Sequence, residues 1–174
     1  MLISIGKRQP QPESVVDLLV SCHGKIRHFI EIARVIGAGG VDEPDDISDG
    51  CVKVVRYFTL AFPLHVRDEE DSLVPRLVGL DPSLDQALER MRVDHRAHDA
   101  EVRGLVAACT DLARSPDDLE LRATLGRLAT RLSGELFEHL EMEEATLLPA
   151  VARWLGPAAE SEVIRELRAR RAAS

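Results

Sequence analysis

Four histidines and two glutamates stand in a pattern that repeats along this chain. The segment HVRDEEDSLVP occupies residues 65–75 and HLEMEEATLLP occupies 139–149, so His-x3-Glu-Glu-x2-Leu-x-Pro is written twice. His65 and Glu69 are four residues apart, as are His139 and Glu143, and that spacing puts both members of a pair on one face of a helix. A lone histidine precedes each pair: His23 lies 42 residues before His65, and His95 lies 44 before His139. Imidazole nitrogen and carboxylate oxygen are good ligands for iron, manganese or zinc. Two carboxylates able to bridge, with four histidines, suit two metal ions better than one, because a single zinc takes four ligands or three plus water.

The elements that must position these side chains are helices. Aromatic residues make up 3 % of the chain, and no run with the two-residue period of a strand is bounded by hairpin turns. Helical periodicity predicts a first helix from about Ser14 to Ile36, with Leu19, His23, Ile26 and Ile30 on one stripe. The segment GAGGVDEPDD at 37–46 reads as a loop. A second helix is expected from about Ser48 to Leu73, with Phe58, Phe62, His65 and Glu69 inward and Pro63 bending it. Asp81-Pro82 predicts the start of a third, carrying Met91, His95, His98 and Val102. A fourth should span about Asp117 to Leu148, with Leu132, Leu136, His139 and Glu143 aligned.

Four such helices joined by short connections predict an all-α, antiparallel up-down-up-down four-helix bundle. The expected organisation is an extended segment at 1–13, a bundle at 14–155 built from halves at about 14–78 and 82–150, and a short C-terminal extra helix with tail at 156–174. Each inward stripe holds a polar residue where a core would hold leucine. A buried carboxylate without a partner is costly, two facing acids also repel, and a bound cation resolves both. At about 1.5 Å per residue, His23 and His65 lie some 12–14 Å from the same end of the bundle, and His95 and His139 fall at a similar depth.

The charge balance narrows the classes. A formal charge of −8 argues against nucleic acid as a partner. No apolar run approaches the roughly 20 residues of a membrane span, and MLISIGKRQPQP lacks the pattern of a secretion signal. Cys22, Cys51 and Cys109 are odd in number with no C-x2-C pair, which predicts reduced thiols in a cytoplasmic protein. Cys22, beside His23, is an alternative thiolate ligand. His28, roughly 140° around the helix from His23, should be exposed. Glu70 and Glu144 read as acids bonded to ligands or facing solvent, with Glu144 able to replace Glu143. Tyr57 reads as core, and Arg165, Arg168, Arg170 and Arg171 as a solvated helix end.

The pattern H…HxxxE…H…HxxxE, matched at His23, His65, Glu69, His95, His139 and Glu143 over about residues 14–150, resembles the hemerythrin family, specifically the bacterial type of HHE cation-binding domain. The resemblance implies two iron ions (Fe2+/Fe3+) bridged by the two glutamates, with a position open to a small ligand such as O2, NO or peroxide. Ferritin-like bundles fit less well, because they use Glu-x2-His pairs. Oxygen-carrying hemerythrins have a second histidine four residues along the third helix. Here Asp99 occupies that offset and His98 precedes it, so either is a candidate fifth ligand or hydrogen-bonding neighbour. The expected function is small-oxidant binding or processing at diiron, in a monomer or homodimer. The alternative is an iron or redox sensor, or an iron-handling protein, that acts through a partner without turnover.

Overall fold

Three of the five described helices begin at a side-chain cap, and the other two begin at a proline. The computed structural model describes residues 14–173; the expected extended segment 1–13 lies outside the described residues, as does Ser174. Helix α1 is Val15–Gly37, capped by Ser14, whose Oγ accepts from Asp17 N at 3.0 Å while the Asp17 carboxylate accepts from Ser14 N at 3.1 Å. This reciprocal box satisfies two donors that the first turn would otherwise leave open. Helix α2 covers residues 44–77, α3 is Pro82–Arg114, α4 is Leu119–Trp154 and α5 is Pro157–Ala172. Asp81 and Asp118 each accept two backbone N–H bonds at the starts of α3 and α4. No strand occurs among the described residues.

Three boundaries differ from the periodicity. Helix α2 begins at Pro44 rather than Ser48, because proline in the first turn followed by Asp45 and Asp46 is a helix start as much as a loop. It also continues past Leu73 to Leu77, where Gly79 turns the chain with φ of 83°. Helix α4 does not stop at Leu148 but runs through Pro149 to Trp154. The backbone bond lost at Pro149 is offset by burial of Leu148, Ala150 and Val151.

Helix α2 is not uniform. It consists of Pro44–Arg56, a π turn Tyr57–Ala61, Phe62–Arg67, a second π turn Asp68–Leu73, and Val74–Leu77. Each π turn precedes a proline, Pro63 or Pro75. A proline ring crowds the carbonyl four residues earlier, and widening the preceding turn moves that carbonyl aside. The expected bend at Pro63 therefore takes the form of a π turn.

The four long helices form the bundle, with α1 packed on α4, α4 on α3, and the first part of α2 on α3 and α1. At one crossing α1 meets α4 so closely that a Cβ on Gly37 would fall on the Gly126 backbone. Two apolar cores result. One gathers Ile26, Ile30, Phe58, Leu105, Leu132 and Leu136. The other gathers Leu19, Leu73, Leu88, Met91, Leu147 and Val151, closed by Val163 and Leu167 of α5. Each buried aliphatic or aromatic side chain contributes about 1.5–3 kcal/mol, so the bundle is held from both ends while its middle carries polar groups. Among the described residues no helix is long and apolar enough to cross a membrane.

Candidate metal centre

Between the two apolar cores lie His23 of α1, His65 and Glu69 of α2, His95 of α3, and His139 and Glu143 of α4, all buried. His23, Glu69 and Glu143 have no exposed surface at all. The sequence pattern thus brings its six residues into one cluster, with two halves. His23 Nε2 lies 3.9 Å from Glu69 Oε1 and 3.4 Å from Glu143 Oε2, and His65 Nε2 lies 3.5 Å from Glu69 Oε1. In the other half, His95 Nε2 lies 3.4 Å from Glu69 Oε2 and 3.8 Å from Glu143 Oε1, and His139 Nε2 lies 2.8 Å from Glu143 Oε1. Each carboxylate spreads its two oxygens between histidines of both halves.

Ligand atoms of His23, His65, Glu69 and Glu143 lie within 4.8 Å of one another, as do those of His95, His139 and Glu143, so both groups are spaced to hold a cation. The inner atoms also lack other partners. His23 Nε2, His95 Nε2, His139 Nε2 and all four oxygens of Glu69 and Glu143 are buried with no hydrogen bond. Buried polar atoms are rarely left so, because each costs about 1–3 kcal/mol and more when charged. A cation among them supplies the missing partner, and the donor set fits one.

Outer nitrogens of three histidines are oriented by carboxylates, in a crossed pattern. His23 Nδ1 contacts Glu144 Oε1 at 3.0 Å, and Arg27 Nη1 donates to that same oxygen at 2.8 Å. His95 Nδ1 contacts Glu70 Oε1 at 2.8 Å. The second glutamate of each Glu-Glu pair therefore holds the lone histidine of the opposite half. Such contacts fix which nitrogen faces inward. His139 Nδ1 lies 3.4 Å from Asp94 Oδ2, whereas His65 Nδ1 has no hydrogen-bond partner.

With no cation, the protein must distribute protons instead. Burial, reinforced by the neighbouring Glu143, pushes the Glu69 carboxyl up to about 8. Burial drives the His65 imidazolium down to about 3. For His23 and His139 burial acts downward, but the carboxylates of Glu69 and Glu143 close beside them outweigh it and raise both. Burial would raise Glu143, yet the neighbouring His139 brings it below the usual range. The pair of glutamates is thus split, one favouring the neutral form and one the charged form.

Several expected residues fall outside the cluster. Asp99 is exposed and bonded to Arg103. His98 is buried, its ring 5.1 Å from that of His139, and its Nδ1 has no hydrogen-bond partner. It adjoins the second half of the cluster without joining either group. The Cys22 sulfur faces Arg171 at 3.7 Å instead of the histidines. Tyr57 is core, stacked on Phe29. Glu144 sits behind His23 and does not take the place of Glu143.

The supports that periodicity missed come from α5. Arg170 Nη1 donates to Asp68 Oδ1 at 2.8 Å and Arg171 Nη2 to Asp68 Oδ2 at 2.6 Å, while Arg170 Nη2 donates to Ser72 Oγ at 2.7 Å. The expected solvated end is therefore a clamp for these two arginines; Arg165 remains exposed, 3.9 Å from Glu162. Asp68 is fully buried next to Glu69, which is also fully buried. Consecutive residues of a helix diverge by about 100°, so Glu69 faces the histidines while Asp68, on the neighbouring face, is buried under α5. The signal available in sequence was the acidic run Asp68–Asp71 beside an unmatched arginine pair.

A model of the hemerythrin HHE cation binding domain matches residues 14–169, the whole bundle and most of α5. The chain belongs to that family. A comparison with curated proteins finds no match. Membership makes this a cation-binding helical protein, and the buried histidine and glutamate cluster is where a hemerythrin domain of this sequence can hold metal.

Proposed function

We propose that the cluster holds two iron ions and that the protein binds or processes a small oxidant, O2, NO or peroxide. His23 and His65 would hold one ion and His95 and His139 the other, with Glu69 and Glu143 between them. The observation that carries this reading is the division of each glutamate's oxygens between the two histidine sets. Iron supplies binding of diatomic ligands and one-electron redox chemistry. The chain's own contribution is orientation and dryness. Glu70 and Glu144 hold His95 and His23 with Nε2 inward, and Phe58, Phe62, Ile26, Leu136 and Leu140 line the apolar side that limits water. Iron per chain, by elemental analysis of protein from iron-replete cells, tests the ligand set. Close to two is expected; zinc, or no metal in a folded protein, overturns it. Given iron, a change in the absorption spectrum on adding O2, NO or peroxide to the reduced protein tests the ligand class.

A second reading is supported by the clamp on Asp68. Helix α5 grips the residue next to Glu69, so a change at the metal has a direct route to the surface of α5. A sensor or iron-handling role through a partner follows if protease resistance of α5 depends on metal state. Equal resistance with and without iron would remove that reading while leaving the first intact.

A further inference from the structure

The two repeat-related seams of the bundle differ. Helices α1 and α4 pack closely, and Arg27 closes over Glu144 outside His23. Helices α2 and α3 pack closely only from Pro44 to Arg56; from Phe62 to Leu73, beyond the first π turn, α2 makes few close backbone approaches to α3. A groove of about 820 Å³ opens there. Phe58, Phe62, Val66, Val102 and Val106 form its apolar walls, and its inner end reaches His95 and Glu70.

Dimensions and charge specify an occupant. A diatomic molecule or peroxide needs space comparable to one water, about 30 Å³, whereas cavities of about 300–1,000 Å³ suit small organic molecules. Three guanidinium groups, Arg67, Arg96 and Arg103, and one carboxylate, Asp99, line the exposed rim of a protein whose net charge is −8. Each has an acidic neighbour: Asp71 at 3.2 Å from Arg67, Glu89 at 3.8 Å from Arg96, and Asp99 against Arg103. Those pairs are exposed and worth at most about 1 kcal/mol, and a guanidinium has five donors, so the rim can still bind an anion. At the inner end the Glu70 carboxylate repels one.

We propose that this groove binds an amphipathic organic anion, a carboxylate with a hydrocarbon tail. The tail lies along the Phe58, Phe62 and Val102 walls toward His95, and the carboxylate stays at the rim with Arg96 and Arg103. This assignment stands on the groove alone and does not depend on which metal the cluster holds.

Calorimetric titration of the protein as purified with decanoate tests it, with decanol and decylammonium as tail-matched controls. Saturable binding of one decanoate per chain is expected, with decanol weaker and decylammonium weakest. The double variant Arg96→Glu, Arg103→Glu should bind decanoate about tenfold more weakly or worse, a loss of about 1.4 kcal/mol. Ala107→Trp, which adds bulk from an exposed lining position, should abolish binding. Metal content, measured on the same samples, should be unchanged in both variants. Absence of saturable binding overturns the proposal, as does equal affinity for decylammonium or binding indifferent to the arginine reversals. Sedimentation showing that the groove is covered by a second copy of the chain, which decanoate does not displace, overturns it as well.

Discussion

The two halves of the bundle carry the same ligand pattern and hold it by different means. In the second half, His139 and Glu143 sit on an unbroken helix, α4, and Asp94 lies outside His139. In the first half, His65 and Glu69 sit on a helix broken by two π turns, His65 Nδ1 has no partner, and Arg170 and Arg171 reach from α5 to clamp the adjacent Asp68. The repeat position of Asp94 is Cys22, which meets Arg171 instead of a ligand histidine. A regular helix fixes its own side chains through the backbone ladder; a helix with widened turns needs outside contacts to do the same. The two halves thus share the inner atoms and differ in the supports behind them.

The largest effects should come where the halves are equivalent. His65→Ala and Glu143→Ala should each abolish metal binding and destabilise by about 3–5 kcal/mol through the buried charge left unpaired, a fall in Tm of about 10 °C. Elemental analysis with thermal melts checks this, and full metal content in both variants would sink the ligand assignment. Next in size is a change that only the first half should feel. Arg170→Ala combined with Arg171→Ala leaves Asp68 buried without its cations, and should also cost about 3–5 kcal/mol. In addition it should loosen the turn carrying Glu69 and so weaken metal retention under chelator challenge. Asp94→Ala, the closest support in the second half, should cost about 1 kcal/mol, since the 3.4 Å contact to His139 is long. Equal losses from the two variants would mean that the halves are supported alike.

This asymmetry marks the limit of what could be read from the chain. The six-residue cluster is legible because His-x3-Glu is a local spacing and its repetition locates the partners on neighbouring helices. The depth argument worked for a similar reason, since rise per residue is nearly constant. Asp68 was not legible. It lies about 100° around the helix from Glu69 and points away from the cluster, and it is buried only because α5 covers it with Arg170 and Arg171. Pro63 signalled an irregularity without giving its form. In sequence Arg170 and Arg171 look like a solvated end because their partner, Asp68, lies about a hundred residues earlier. The end of α4 is hidden in sequence because Pro149 marks a stop, whereas burial of Ala150 and Val151 carries the helix past it.

Protonation gives a third way to separate the halves, in metal-free protein. The Glu69 carboxyl rises from 4.5 to about 8, so the folded state keeps a proton that the unfolded chain has lost. Its contribution is full below pH 4.5 and disappears as pH rises through 8. His65, lowered from 6.5 to about 3, acts oppositely, costing stability as pH falls below 6.5. His23 and His139, also raised from 6.5, act in the same direction as Glu69, so the metal-free Tm should decline as pH rises above 6.5. Glu69→Gln should make the decline shallower by removing the acid that burial keeps neutral. Glu143→Gln should make it shallower too, because Glu143 raises both Glu69 and His139. A decline unchanged by Glu69→Gln would mean that Glu69 is not the neutral acid.

The smallest effect belongs to Asp99, whose repeat counterpart is Arg27. Both lie four residues beyond a ligand histidine, yet they behave differently. Arg27 turns inward over Glu144 and so bears on His23, while Asp99 turns outward to Arg103. An exposed pair of this kind contributes at most about 1 kcal/mol and usually less. Asp99→Ala should therefore keep full metal content and change stability by about 0.5 kcal/mol or less. Arg27→Ala should speed metal loss to a chelator by freeing Glu144 from His23. Should Asp99→Ala lose metal instead, the third helix would carry a second ligand at the offset used by oxygen-carrying hemerythrins. His98, buried beside His139 one residue earlier, would then be only a neighbour of that ligand.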